Sequence, residues 1–365
     1  MKVYFDTLHL YYLAQYLPVF RVLQERGIDS RFCFYHDQEM EPAIDCVIEQ
    51  EQLSTSWVQS QHEAATLYHR DKPDWVIFGN AFHQLSGLHA KTRTAQLYHG
   101  ISKSGVYDPS LMNMDIRFVE GPHYTEILQQ RFPDRPLLEV GYAKLDPLFG
   151  PTNQRLRLDL AAVGLDPTKP TLLYAPTFFP SSIEMMPDDW PTHFSELNVI
   201  VKAHSFTWSK PRYENQRRKL RRWAQAPNVY LPDQCAFDLP PFMTAADLMI
   251  SDVSSALYEF AALDKPVVRC DFLKLRWSYR GPLRYRLRRR MDETLEQYRD
   301  ICAHASSYHA LRSCVDTQLA NPGQYAAKRQ AYTARLIGKT DGQVSTRIVD
   351  CLLKHRVSDQ TSSVS

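Results

Sequence analysis

The sequence predicts an α/β protein built from two doubly wound, Rossmann-like domains. Three observations lead there. The chain has 365 residues, more than one hydrophobic core ordinarily serves and suited to two domains. Its candidate strands are short apolar runs without alternation, such as Asp74–Phe78 and Leu248–Ile250, the mark of strands buried on both faces of a parallel sheet. Segments with helical spacing lie between them, and strands alternating with helices imply a parallel sheet covered on both sides.

Taken in order, Lys2–Phe5 reads as the first strand. Tyr11–Arg26 reads as a helix, bent or started at Pro18 and closed by Gly27. Ser30–Tyr35 is a second strand, and a helix is expected through about Ser56–Arg70. Further strands are expected at Asp74–Phe78, Thr94–Tyr98, Ile116–Val119 and Leu138–Val140. They end at Gly79-Asn80, His99-Gly100, Glu120-Gly121 and Gly141. In parallel sheets ligands gather at such carboxyl ends.

Pro147–Lys169 is rich in Pro, Gly and polar residues, with one short helix expected over Asn153–Val163. A second α/β series follows: strands at Leu172–Ala175, Val199–Lys202, Asn228–Leu231, Leu248–Ile250 and Val267–Arg269. A terminal helix is expected over Thr340–Leu353. The predicted organisation is an N-terminal domain at 1–150, a linker at 151–169 and a second domain at 170–338. A helix within 339–356 is expected to pack back on the first domain, and the polar tail at 357–365 is expected to be disordered.

Composition narrows the class. The chain is 44% hydrophobic and 23% charged, as in a soluble globular protein. Net charge is only +2, so no global field points to nucleic acid. Basic charge is local instead. Residues 276–290 hold seven Arg and no acid, interleaved with Trp277, Tyr279 and Tyr285; residues 210–222 hold seven Lys/Arg and one Glu. The seven cysteines form no CxxC pair, so neither a zinc site nor a disulfide framework is expected, and a reducing compartment fits. Met1-Lys-Val-Tyr-Phe-Asp-Thr7 reads as strand and loop, not as a signal peptide. No apolar run approaches membrane-spanning length. The expected location is the cytoplasm, with the inner face of the cell membrane as an alternative seat.

The most informative stretch runs from Asp247 to Val268. A buried strand passes through the small polar turn Ser251–Ser255 into a helix, Ala256–Leu263, that stops at Lys265-Pro266. Ser254 and Ser255 fall where the helix begins, with unpaired N–H groups and the positive end of the dipole, a natural phosphate seat. Capping serines would look the same. His99 and His204 each end an apolar strand; either can serve chemistry or be a hydrogen-bonded strand-end histidine. No carboxylates cluster at metal-ligand spacing, so no metal and no cofactor is expected.

Two α/β domains in series suggest the GT-B architecture, with strand ends facing a central cleft. The motifs then carry a family resemblance. Leu97-Tyr-His-Gly-Ile-Ser-Lys103, Leu138-Glu-Val-Gly-Tyr-Ala-Lys-Leu-Asp146, Leu172-Leu-Tyr-Ala-Pro-Thr177, Val199-Ile-Val-Lys-Ala-His204, Ser251-Asp-Val-Ser-Ser255 through Pro266, and Asp341-Gly-Gln-Val-Ser345 occur in this order. Together they resemble the CDP-glycerol glycerophosphotransferase family of teichoic-acid-type polymerases and primases, over about residues 90–352. Departures are Phe178-Phe179-Pro180 where the family has Arg, Ala143-Lys144 for Pro-Arg, His204-Ser205 for His-Pro, and Glu259 for a shorter acid.

The resemblance implies transfer of glycerol phosphate from CDP-glycerol, as substrate, to a hydroxyl of a saccharide or lipid-linked acceptor, releasing CMP. It implies His99 as base and His204 as a hydrogen-bond donor to a phosphate oxygen or as the acid that protonates the leaving phosphate. It places Thr177, Asp252, Ser254, Ser255 and Glu259 on the donor's phosphates and nucleotide, and Gly100 and Lys103 near the acceptor; Asp6 and His9, which precede the resembling region, end the first strand and are candidate acceptor contacts by topology. The first domain then serves the acceptor and the second the donor. The Arg276–Arg290 stretch reads as a solvated face, an anionic-lipid contact or a polymer contact. Two alternatives are a GT-B glycosyltransferase using a CMP- or UDP-activated sugar, with Glu259 on the ribose, and a non-catalytic module binding anionic polymer or RNA.

Overall fold

The computed structural model describes residues 1–101, 104–150, 156–289 and 291–357. Lys103, the start of the linker and the polar tail from 358 lie outside these residues, as does Arg290. The chain divides into two compact units. One takes residues 1–99, 106–152 and 334 onward; the other takes 100–105 and 153–333.

The first unit holds a seven-stranded, all-parallel sheet. Its strands are β1 (Lys2–Thr7), β2 (Asp29–Tyr35), β3 (Thr55–Val58), β4 (Trp75–Phe78), β5 (Arg93–Leu97), β6 (Ile116–Val119) and β7 (Leu137–Glu139). They lie in the order 3-2-1-4-5-6-7. The second unit repeats the scheme with β8 (Thr171–Ala175), β9 (Asn198–Val201), β10 (Val229–Tyr230), β11 (Leu248–Ser251), β12 (Val267–Cys270) and β13 (Ala303–Ala305), in the order 10-9-8-11-12-13. Each order reverses once, at β1/β4 and at β8/β11, which is the Rossmann pattern. The central strands are buried along their whole length, so both sheet faces are covered, and the uninterrupted apolar runs follow from that.

Some elements differ from the sequence reading. The helix expected from Ser56 begins only at Gln61, with Ser60 accepting from the Glu63 amide at 3.3 Å. Thr55–Val58 is instead the edge strand β3. It pairs on one side only and is half-buried, so it lacks the apolar run that marks the inner strands. The helix Glu41–Glu51 buries only Ala43, Ile44 and Val47, too thin a stripe to stand out. Of the helix expected over Asn153–Val163, residues 157–164 form irregular chain and turns, with Asp159 accepting from Ala161 and Ala162 amides at 3.0 and 3.2 Å.

The C-terminal helix Val344–Val357 belongs to the first unit. Ile348, Val349 and Leu352 are fully buried, and Trp75 Nε1 donates to the Leu352 carbonyl at 3.1 Å. Asp146 accepts from the Val344 and Ser345 amides at 3.0 and 2.6 Å. The Asp146 carboxylate therefore caps a helix that starts almost 200 residues later. Two glycines let the chains meet. Gly141 has φ +105, and a Cβ there would sit 2.6 Å from Val344 Cγ2; Gly338 has φ +80, and a Cβ would sit 2.6 Å from the Glu120 carbonyl. Two of the ordered motifs, those ending at Asp146 and Ser345, are thus two halves of one docking joint. No described helix is long and apolar enough to cross a membrane.

Asp146→Ala should destabilise the first unit by about 1–2 kcal/mol, the usual cost of a lost cap. A urea titration will show a lower midpoint at unchanged m-value, with Asp146→Asn recovering part of the loss. An unshifted midpoint would remove the capping role.

Candidate active site

Both sheets present their loops at the carboxyl ends beside the switch points, where α/β sheets bind ligands. In the first unit, His99 follows β5. Its Nδ1 lies 2.7 Å from the Gly79 carbonyl, at the end of β4. A carbonyl only accepts, so Nδ1 carries the proton and Nε2 keeps its lone pair. The ring stacks on Tyr12 at 4.6 Å and 24°, and Tyr11 meets it edge-on at 5.2 Å. Burial pushes the His99 pKa down to about 4, against a smaller upward pull from the Gly79 bond, with the His9 charge lowering it further. The ring is neutral at pH 7 with a fixed tautomer. His9 is half-buried and stacks on Tyr11 at 5.2 Å. The aromatic shelf of Tyr11 and Tyr12 has no local signal in the sequence, where the pair looks like ordinary helix residues.

Asp6 takes a different place from the one expected of it. It is 1% exposed, and its Oδ2 accepts from Tyr35 and Tyr68 hydroxyls at 2.8 Å each. Burial pushes its pKa up to about 7, against the two hydroxyls. The side chain points into packing instead of toward an acceptor, because a strand residue one position from the end still alternates into the covered face. Glu120, after β6, is also buried, and burial raises its pKa to about 7 while Arg117 pulls it down.

In the second unit, His204 follows β9 and precedes the short helix Ser205–Ser209. Its Nδ1 accepts from the Phe206 amide at 3.1 Å. An amide only donates, so here the proton sits on Nε2. Phe178, standing where the resemblance leads one to look for Arg, packs on the ring at 4.8 Å. The two histidines are thus held as opposite tautomers, His99 with its lone pair on Nε2 and His204 with its proton there.

Asp252, just past β11, is fully buried. It accepts from the Thr177 amide at 3.1 Å, the Ser182 amide at 3.3 Å and the Ser181 hydroxyl at 3.4 Å. Burial pushes its pKa up to about 7, against these donors. Asp252 therefore ties the loop after β8 to the end of β11, and Thr177 is held by its backbone in that tie. Ser254 sits at the N-cap of the helix Ser255–Ala261 in extended conformation, but its side chain does not cap the helix. Its hydroxyl lies 3.0 Å from that of Ser251. The capping alternative is not realised, and the first amides are left to other acceptors. The Ser255 hydroxyl is differently engaged. It accepts from the Ile101 amide at 3.1 Å and donates to the Ile101 carbonyl at 2.7 Å. A Cβ at Gly100 would come within 3.1 Å of it, so Gly100 lets this backbone approach. Glu259 is 0% exposed on the same helix, inside packing and not displayed to a ribose. Among the described residues, no three His, Cys, Asp or Glu side chains group to hold a metal.

The family model for CDP-glycerol:poly(glycerophosphate) glycerophosphotransferase matches residues 91–354. The chain belongs to that family. It is a glycerophosphotransferase by membership, and the match spans the loops that carry His99, His204 and Asp252. No curated protein matches in sequence. Among solved structures, the wall teichoic acid polymerase TagF superposes with a TM-score of 0.66 at 16% identity, over 99% of this chain and 90% of that one. A putative UDP-N-acetylglucosamine 2-epimerase from Listeria monocytogenes gives 0.63 at 13%, over 97% and 96%. The UDP-GlcNAc 2-epimerase from Neisseria meningitidis, bound to UDP-GlcNAc, gives 0.59 at 16%, over 97% and 100%. At these identities the likeness concerns the fold, which is GT-B-like. In this glycerophosphotransferase, the motif His204-Ser205 departs from His-Pro without loss of the cap, because the ring itself accepts the Phe206 amide.

Long-range 15N–1H correlation spectra should show His99 protonated on Nδ1 and His204 on Nε2 at pH 7. His99 should stay neutral down to about pH 4. Its folded pKa lies below the unfolded value of about 6.5, so its stability contribution is present above 6.5 and is lost as pH falls through 4. A His99 titration near 6.5 would overturn the buried, tautomer-locked ring.

Proposed function

We infer that this glycerophosphotransferase moves glycerol phosphate from CDP-glycerol to a hydroxyl of a saccharide or lipid-linked cell-envelope acceptor, releasing CMP. The observation that carries this reading is the pair of opposite tautomers. Transfer needs a lone pair for the acceptor proton and a donor for the diphosphate. His99 Nε2 takes the acceptor's proton as its oxygen attacks the phosphorus that bears glycerol. The bond from that phosphorus to the bridging oxygen breaks, and the oxygen leaves on CMP. His204 Nε2–H donates to a diphosphate oxygen as charge collects there. The uncapped amides at Ser255 and the Ser254 hydroxyl suit the outer phosphate, while the Ser255 hydroxyl holds Ile101. Asp252 acts as a positioning residue for the Thr177–Ser182 loop. A solved TagF histidine variant soaked with CDPG supports this donor.

A cytoplasmic site at the membrane's inner face fits the exposed part of the Arg-rich segment. Trp277 is 83% exposed and Tyr285 46%, and Arg280, Arg284, Arg286 and Arg289 are exposed with them. Each basic residue near an anionic surface contributes roughly 1 kcal/mol, and Trp and Tyr favour the interface. Arg276 is set apart: it donates to the Tyr213 hydroxyl at 2.9 Å and packs on Phe179.

CDP-glycerol at a hundred times its dissociation constant should stabilise the protein by about 2.7 kcal/mol, whereas a response confined to UDP-sugars would favour the glycosyltransferase reading. His99→Ala should lower turnover by about 10²–10⁴-fold and leave the CDP-glycerol shift in place; full activity would refute the base. Vesicles with phosphatidylserine should sediment the protein, and Arg280→Glu with Arg284→Glu should release it; equal sedimentation of the variant would refute the membrane contact.

A further inference from the structure

The two basic stretches are more than 50 residues apart in sequence, yet they meet in the second unit. Helix Glu214–Trp223 turns Asn215, Arg218, Lys219 and Arg222 to one side, at i, i+3, i+4 and i+7. These four line a groove of about 440 Å³, and Lys274, Glu184 and Asp188 complete it. Lys274 bridges Ser181 in antiparallel pairing, its amide donating to the Ser181 carbonyl at 3.3 Å. Arg276 links the two stretches by donating to the Tyr213 hydroxyl, just before the helix.

The floor of the groove is tied to backbone carbonyls. The Lys219 ammonium is half-buried and donates to the carbonyls of Ile183 and Glu184 at 3.4 Å and to that of Met186. Asp188 pairs with Arg222 at 3.0 Å and with Lys219 at 3.7 Å. Four cations thus face two carboxylates and an amide. Carboxylates would repel a ligand that is phosphate throughout, but they accept hydroxyls. The lining therefore fits a chain that alternates phosphodiesters with free hydroxyls. The wall from Ser181 to Asp188 is also the loop that Asp252 holds at its start, so the groove is built on the same loop as the donor-side residues.

We propose that this groove binds a glycerol-phosphate polymer, phosphates on Arg218, Arg222 and Lys274 and hydroxyls on Glu184 and Asp188, apart from the residues of transfer. The proposal rests on the transferase reading and names its polyanionic acceptor or product. A groove of this kind keeps a growing chain on the protein between additions.

The test is binding of a synthetic glycerol-phosphate oligomer to the full chain by fluorescence anisotropy across a salt series. Wild type should bind with affinity that falls steeply with salt. Arg218→Ala with Arg222→Ala should bind about tenfold more weakly or worse, with a shallower salt slope, and Lys274→Ala on the opposite wall should weaken binding independently. Inorganic polyphosphate of matched charge should bind less tightly than the oligomer. Unchanged oligomer affinity in both variants, equal affinity for polyphosphate, or binding to anionic vesicles alone would overturn the proposal. Stabilisation by CDP-glycerol should persist in the variants. Its absence from wild type would sink the transferase reading while oligomer binding still reported on the groove.

Discussion

The hydrogen bond from His99 to the Gly79 carbonyl governs the chemistry available to the first unit. Without it, a buried imidazole could hold its proton on either nitrogen. With it, one nitrogen is spent on the backbone and the other presents a lone pair. Parallel pairing of β4 with β5 brings the two loop ends side by side, so the sheet itself enforces the tautomer. The second unit uses the converse device. The start of a short helix supplies an amide to His204, which pushes the proton to the far side of the ring. Backbone groups, fixed by secondary structure, decide what each histidine can do.

Three buried acids serve architecture. Asp6 binds two tyrosines, Asp252 ties two strand ends together, and Asp146 caps the C-terminal helix. Burial raises the pKa of each, so each is retained against a desolvation cost by the donors around it. Buried carboxylates of this kind link parts of a fold that are distant in sequence, since one oxygen pair can satisfy several orphan amides at once. The Ser255 hydroxyl works in the same manner on Ile101. Motif residues here often hold backbone.

Charge is distributed on similar lines. Net charge is nearly balanced, but the cations of residues 210–222 and 274–289 gather in one unit. Part of that charge is locked to carbonyls and carboxylates, and part is displayed beside exposed aromatic rings. A groove with mixed signs and an arginine surface with Trp277 are different recognition chemistries, and they lie on neighbouring segments of the same chain.

Sequence alone determined the two-unit α/β plan and the positions of the inner strands, because strands buried on both faces must be apolar throughout. It also brought out His99, His204 and the serine turn, since each follows such a strand. It left β3 and the helix Glu41–Glu51 unread, because half-buried elements leave only a thin apolar stripe. What tertiary structure decided was the partner of each polar side chain. Asp6 and Glu259 look available in the sequence and are enclosed by packing; Ser255 looks like a phosphate ligand and is bonded to Ile101. The tautomer of each histidine depends on a carbonyl or amide that only folding brings within 3.1 Å. Periodicity reports burial of apolar groups along one segment, whereas partners such as Gly79 for His99, Tyr35 and Tyr68 for Asp6, and Ile101 for Ser255 come from segments that the local pattern does not connect.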